Sequence, residues 1–381
     1  MEVDPATVTA ARISANTASP SVFIGTFGVV FALIAFFLVF DTFVARIDTD
    51  EAQSRALSAY KEGTRLFHSG KFDAAAEQFS AAAAMDRENI TYRVALARVT
   101  LRQGDMETAQ TLLRSILQKD PTDGSANVLM ARALVEQGHV EDGIAYYHSA
   151  VYGRWRPGET GSSLQARFEL INLLAATNAK QALLAELLPI QDQSLEDLTL
   201  RDSLGYLFLK AGSPARAADV FHQVLQKDEK DVRAYSGLGE ASLALGNYAA
   251  AEGQFARAVR LSPNDTVIAT RRDLARNLAE MNPSERGLRL SDRYQRARGM
   301  LLLTVQTVAR CPLDSAASAA AAAAVSALGK SPGSSGDALD DFARENIGIA
   351  QRLWNLRPVA CVAETTPREK ALAVLQNALS R

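Results

Sequence analysis

Apolar and polar positions divide the chain into three stretches. Residues Ser21 to Phe40, SVFIGTFGVVFALIAFFLVF, carry no charge, and Asp41 ends the run. Helical residues rise 1.5 Å each, so a run of this length spans about 30 Å, the thickness of a hydrocarbon core. A surface helix of a soluble protein would show a polar face within that distance. A cleaved leader fits poorly: the run is long, only Arg12 precedes it, and no small-x-small cleavage site follows. The pattern predicts an N-terminal tail (1–20) and one transmembrane helix (21–45). Within the span, Gly28 and Ala32 form a small-xxx-small pair that could bring two such helices together.

After residue 55 the pattern changes to a repeat with a 34-residue period. Gly63 is followed by Ala75, Phe79 and Ala82. The same phase gives Ala97, Ala109, Leu113 and Ile116, then Ala131, Gly143, Tyr147 and Ala150. Six extra residues (Gly158 to Ser163) intervene, and the phase resumes with Gly205, Ala217, Phe221 and Val224, then Gly239, Ala251, Phe255 and Ala258. Small residues in mid-helix let two helices approach, and an aromatic on the second fills the groove between them. Gly70, Gly104, Gly138, Gly212 and Gly246 supply helix stops, while Pro121 and Pro263 end units. A single hairpin cannot bury its own apolar face, so the units must stack into a solenoid.

These residues resemble the tetratricopeptide repeat. Units 90–123 (closing in QKDPTD) and 232–265 (AYSGLGEASLALGNYAAAEGQFARAVRLSPND) match best, with 56–89, 124–157 and 198–231 close behind. In 164–197 Ile171 and Leu183 replace the small residues, which makes it a degenerate sixth unit. The solenoid is thus expected over 56–265. The resemblance implies a binding scaffold whose first helices line a concave face. By that resemblance Tyr60, Thr64, Val94, Arg98, Arg132, Phe168, Asn172, Asp202, Tyr206, Arg233 and Glu240 point inward and form a candidate groove for a protein or peptide partner. Arg98 and Arg132 occupy equivalent places and could meet a carboxylate. The Lys and Asn clamp that some members use for a C-terminal carboxylate is absent: Tyr60, Thr64 and Ala95 stand in its place.

The third stretch is amphipathic without the repeat. Residues 266–281 read as a capping helix with a solvent-facing polar side, and 266–285 as cap and linker. Eight Arg against four acids lie between Arg271 and Arg298, a solvated face or a contact for anionic lipid. A small helical module is expected over 286–381. It includes an Ala-rich segment, a flexible SPGSSG, and Leu339, Phe342, Ile347, Ile349, Ala350, Leu353 and Trp354 at helical spacing. Cys311 and Cys361 each follow a predicted helix and form a candidate disulfide, which would imply an oxidising compartment.

Composition agrees with this all-α reading. Alanine supplies 66 of 381 residues while aromatics make up 7%, a mix that favours close-packed helices over strands. A net charge of −2 gives no bulk reason to bind nucleic acid. His68, His139, His148 and His222 fall on different hairpins, away from both cysteines, so no metal site or cofactor is expected. Neither a phosphate-binding glycine loop nor a nucleophile elbow occurs, and no enzyme is expected. Orientation is nearly tied: Arg12 and the amino terminus precede the span, Arg46 and Arg55 follow it. The cysteines tip the expectation toward repeats outside the cytoplasm. The architecture is similar to bacterial inner-membrane proteins whose repeat domain helps to assemble envelope complexes. A cytosol-facing receptor or adaptor is the alternative.

Overall fold

In the computed structural model of the chain, the described residues are 51–381 apart from 158, 192–196, 334, 359, 360, 362–364 and 381, together with Phe31, Ala35 and Phe36. The predicted tail and the anchor over 21–45 lie outside the described residues, save for those three, which are helical and exposed. Among the described residues no helix is long and apolar enough to cross a membrane. Packing divides the chain into two units, Met1–Phe168 and Glu169–Arg381.

The first unit is a run of helical hairpins. Helix α1 (51–68) pairs with α2 (Phe72–Met85), α3 (Ile90–Arg102) with α4 (Met106–Lys119), and α5 (Gly124–Glu136) with α6 (Val140–Val151). Helix α7 (Thr160–Ala176) contains the divide. The second unit continues with α8 (Lys180–Gln191), then α9 (Leu198–Lys210) on α10 (Pro214–Lys227) and α11 (Val232–Ala244) on α12 (Tyr248–Leu261).

The period is written into both ends of the first helices. Asn89, Asp123, Asp197, Asp231 and Asp265 are their N-caps. Each side chain accepts a hydrogen bond from a backbone N–H of the first turn, where no intrahelical acceptor exists. The five turn glycines all take the left-handed conformation, with φ between 73° and 85°. In the degenerate unit Asn178 does the same at φ 56°, since Asn tolerates that region better than other side chains. Here the sequence offers no glycine, yet the turn is the same.

Between the helices of four hairpins stands the predicted aromatic, and in α3–α4 the buried Leu113 takes its place. Phe79, Tyr147, Phe221 and Phe255 are all buried. The fit is tightest at Phe221: a Cβ built on Gly205 would lie 2.6 Å from its ring, and one on Gly237 2.2 Å. These glycines are needed because the ring occupies the space of their missing side chains.

The second unit does not end at α13 (Thr266–Met281). That helix was expected to close the stack with a polar side facing solvent. Its polar side does face solvent at Thr270, Arg271, Arg276 and Glu280, but α12 packs on one side and α17 (Pro367–Leu379) on another. Leu278 and Met281 enter a core shared with α14 (Leu290–Val308), α15 (Ser315–Leu328), α16 (Gly336–Leu356) and α17. Its main members include Met300, Leu301, Ile349, Leu353, Trp354, Leu372 and Leu375. A buried hydrogen bond from Gln376 to Thr304 (3.0 Å) crosses from α17 to α14.

Part of the basic strip is spent inside this packing. Arg296 donates to the carbonyls of Ala279 (2.6 Å) and Asn282 (3.2 Å), and Arg298 to that of Leu328 (2.6 Å). Both guanidinium groups thus close helix C-termini, where carbonyls lack partners and positive charge is favoured. Arg293 reaches Asp340 at 2.9 Å, Arg271 reaches Glu240 at 2.8 Å and Arg276 reaches Glu252 at 3.2 Å.

Two cross-links tie the end of α14 to the start of α17. Cys311 and Cys361 are bonded, with their Cα atoms 5.7 Å apart. Beside them Arg310 pairs with the buried Glu369. Glu369 also completes a capping box with Thr366, and the backbone N–H groups of Thr365 and Thr366 both donate to it at 2.9 Å. The Thr366 backbone bond, then the Arg310 guanidinium and Thr365, outweigh desolvation and hold its carboxyl down at about 2.

Candidate functional site

Within each unit neighbouring first helices stand side by side: α3 on α5 in the first unit and α9 on α11 in the second. They form a face, and the predicted groove residues other than Arg233, the second residue of its unit, sit on it in two registers. Tyr60, Val94, Phe168 and Asp202 are the fifth residues of their units. Thr64, Arg98, Arg132, Asn172, Tyr206 and Glu240 come four later, one helical turn along.

The two registers do different things. The fifth position falls at the seam between adjacent first helices. Val94 is buried at 3% exposure, so it contributes packing and no groove surface. Asp202 is buried at 2%. Tyr60 leans across the seam onto Tyr92, ring centroids 5.2 Å apart. Phe168 is half-buried. One turn later the side chains stay open: Arg98 and Asn172 are exposed, and Thr64, Arg132, Tyr206 and Glu240 are half-buried. Of these, Thr64 spends its hydroxyl on the carbonyl of Tyr60 at 2.8 Å.

In the first unit the face carries a cluster of arginines. Tyr60, Thr64, Phe67, Phe79, Ala95 and Arg98 line a small cleft of about 60 Å³. Desolvation is the largest influence on the Arg98 guanidinium and lowers its pKa. Arg132 and Arg156 push it the same way, while Tyr60 and Glu159 oppose them. Arg156 and Glu159 are absent from the sequence expectation because Arg156 lies at the end of unit 124–157, beyond its helices, and Glu159 in the residues that interrupt the period. The signal for them was there: a phase slip with two arginines and a tryptophan in RWRPGE.

The second unit has an acid-rich counterpart. Asp202, Tyr206 and Arg233 come together. Arg233 lies 4.0 Å from the Asp202 carboxylate, and its guanidinium stands 5.8 Å over the Tyr206 ring. The Tyr206 hydroxyl donates to the Arg233 carbonyl at 3.0 Å. Burial pushes the Tyr206 phenol up, with a hydrogen bond to Ser236 working against it. Asp202 is pushed up to about 6, first by burial and then by the negative charge of Asp231. Its Oδ1 is buried with no hydrogen-bond partner. Glu240 is raised by burial and held back by Arg271. Asp231 is at once the N-cap of α11 and a neighbour of Asp202, so one residue links helix start to face.

This arrangement can hold a chain by hydrogen bonds, ion pairs and ring contacts. Among the described residues no group of three or more His, Cys, Asp or Glu side chains is placed to hold a metal ion.

A tetratricopeptide repeat profile matches residues 60–124 and 203–266, and a second one matches 100–151. These segments of the chain are tetratricopeptide repeats. Curated proteins give no match. Among solved structures the chain is similar to YrrB, described as a TPR protein with an unusual peptide-binding site, at 16% identity and a TM-score of 0.41, covering 51% of this chain and 97% of that one. It is also similar to the TPR2AB domain of yeast Sti1 in its pHSP90 complex, at 15% identity and a TM-score of 0.28, covering 78% and 98%. A third is the C-terminal part of a TPR repeat-containing protein from Cytophaga hutchinsonii, at 12% identity and a TM-score of 0.41, covering 58% and 86%.

Proposed function

We propose that this chain is a membrane-anchored tetratricopeptide scaffold that holds a protein or peptide partner on its first-helix faces, outside the cytoplasm, during assembly of an envelope complex. The observation that carries the binding role is the state of those faces. Arg98 stands exposed beside the cleft of Tyr60, Phe67 and Phe79, and Tyr206 is half-buried at the equivalent position of another repeat. Neither is needed to close a hairpin, which the wedges and caps already do. An exposed guanidinium of this kind can donate to a partner's polar atoms, and the flanking rings give its side chains apolar contact.

The mechanism is non-covalent. A scaffold tethered by residues 21–45 would raise the local concentration of whatever it holds beside the membrane. The uncharged run from Ser21 to Phe40 supports the tether. The Cys311–Cys361 bond supports the side, because such bonds persist in oxidising compartments. The other reading, a cytosol-facing adaptor, draws on Arg46 and Arg55, which follow the apolar run closely.

A compartment-sensitive reporter fused after Arg381 tests the placement. Activity outside the cytoplasm, with no free thiols when the unfolded protein is titrated, is the expected result. Activity only inside, with two free thiols, rejects the extracytoplasmic reading in favour of the adaptor.

A further inference from the structure

From Asp292 to Ala309 the exposed residues of α14 are Asp292, Gln295, Gly299, Leu302, Gln306 and Ala309. They follow the alternating three-four spacing of a single stripe along a helix, and they span about 25 Å at about 1.5 Å per residue. The middle of this stripe borders a cavity of about 370 Å³ that α13 and α17 complete. Met281, Met300 and Leu303 give it an apolar lining. Leu302 is 47% exposed, a large apolar side chain standing in water. Gly299 leaves a gap instead, since a Cβ there would meet nothing within 4 Å. The stripe thus carries a knob and, one turn away, a hole.

Two charges border the same cavity. Glu280 lies in the last turn of α13, where a negative charge opposes the helix dipole. Arg368 lies in the first turn of α17, where a positive charge does the same. Both are exposed, and neither forms an ion pair with a described residue. They stand at different levels of α14. Arg296 donates to the carbonyl of Ala279, which sets Glu280 beside the N-terminal half of the stripe. Arg310 pairs with Glu369, which sets Arg368 toward its C-terminal end. Neither charge serves its own helix, so both are open to a partner.

The order along the stripe points to the partner. Turned end for end about a point between Met300 and Leu301, Gly299 exchanges places with Leu302, and Gln295 with Gln306. The same turn carries the level of Glu280 toward that of Arg368. We infer that two copies of the chain pair through antiparallel α14 helices about this axis. Leu302 of each copy then fills the hole at Gly299 of the other. Gln295 meets Gln306 of the second copy, amide to amide, and Glu280 meets Arg368 of the second copy. Every contact occurs twice, as a two-fold interface requires. A partner of different sequence gives no reason for the stripe to match its own reverse. The pairing is independent of what the first-helix faces bind.

Thiol cross-linking of the full chain in detergent reads the register. Antiparallel pairing sets residue 295 of one copy against residue 306 of the other, while like residues stay about 16 Å apart along the helices. Chains carrying Gln295→Cys and chains carrying Gln306→Cys are mixed, oxidised with copper–phenanthroline and separated without reductant. The mixture should give a disulfide-linked dimer, and either variant alone at least about tenfold less. Equal yields from one variant alone and from the mixture, or no dimer in any of the three samples, overturn the pairing. Analytical ultracentrifugation measures its strength. Gly299→Leu fills the hole without meeting a neighbour in the monomer. It should leave helical circular dichroism unchanged and weaken self-association at least about tenfold. Glu280→Arg or Arg368→Glu alone should weaken it about tenfold, because each turns two attractions into two repulsions. The two reversals together should restore it, since the pairs re-form with their charges exchanged. Association that Gly299→Leu leaves unchanged belongs to residues outside α14 and overturns the interface.

Discussion

At the scale of single residues, Asp202 carries its charge at a cost. Its carboxyl is buried at the seam between α9 and α11, facing Asp231, Asp228, Arg233 and Tyr206. Arg233 is 4.0 Å away and largely exposed, so it compensates only in part. In the folded chain the proton is held up to about 6, against an ordinary value of 3.8. Between those values the folded state binds a proton that the unfolded state has released, so this group's contribution to stability falls as pH rises from about 4 to 6. Asp202→Asn keeps a donor toward Asp231 and removes the titration. The variant should match the wild type near pH 4 and exceed it by about 1–3 kcal/mol at pH 7, read by denaturant unfolding of both at each pH. Equal stabilities at both pH values would mean that Asp202 is ionised and well paired throughout. The sequence placed Asp202 and Val94 on the correct helices but could not separate seam from surface. Both follow the same spacing as exposed groove residues. What buries them is the neighbouring first helix, whose approach depends on packing between units and leaves no mark on the residue itself. Arg156 was missed for the complementary reason, since it lies in the link after α6 and not on a first helix.

Elements were more legible, because their signals are local and repeat. Wedge aromatics, small crossing residues and turn glycines all recur at one period, and the structure uses them as the spacing implies. The aspartate caps at Asp197, Asp231 and Asp265, each 34 residues from the next, follow the same period but were not singled out in the sequence. Asn178 shows that the left-handed turn can outlast the loss of its glycine. Helix α13 was misjudged because its apolar positions exceed what one neighbour can cover. Leu274, Leu278 and Ala279 need α14–α17, and nothing in the repeat pattern announces that second partner. The wedge principle makes a quantitative forecast. Phe221→Ala should destabilise the second unit by about 3–5 kcal/mol, as a large buried ring leaves a cavity that rigid helices cannot close. Gly237→Ala adds only one methyl but drives it to 2.2 Å from the Phe221 ring, so it should cost at least about 1–3 kcal/mol. The double variant should be less destabilised than the sum, because the Ala methyl then occupies space that the ring has vacated. Urea unfolding of the four proteins, followed by helical circular dichroism, gives the cycle. Strict additivity would contradict the wedge account.

For the whole molecule, tetratricopeptide hairpins are followed by a cross-linked C-terminal core, and the charge-free run is the tether of the proposed reading. The repeats are legible because hairpin packing is dictated by neighbours a few residues away. The side of the membrane is not, since two short flanks of similar charge give opposing pulls of nearly equal size. The partner is not legible for a different reason, because recognition lies in exposed residues whose spacing the fold fixes but whose chemistry it does not. The central claim is that the first-helix face holds a protein. The most direct measurement places a photoreactive side chain at Thr64, at Tyr206 and, as a control, at the exposed Gln223 on the outer side of α10, in membranes of cells that make the full chain. Illumination should yield a discrete protein adduct from Thr64 or Tyr206 and none from Gln223. Adducts at Gln223 with none at the two face positions, or no adduct at any of the three, would contradict the account.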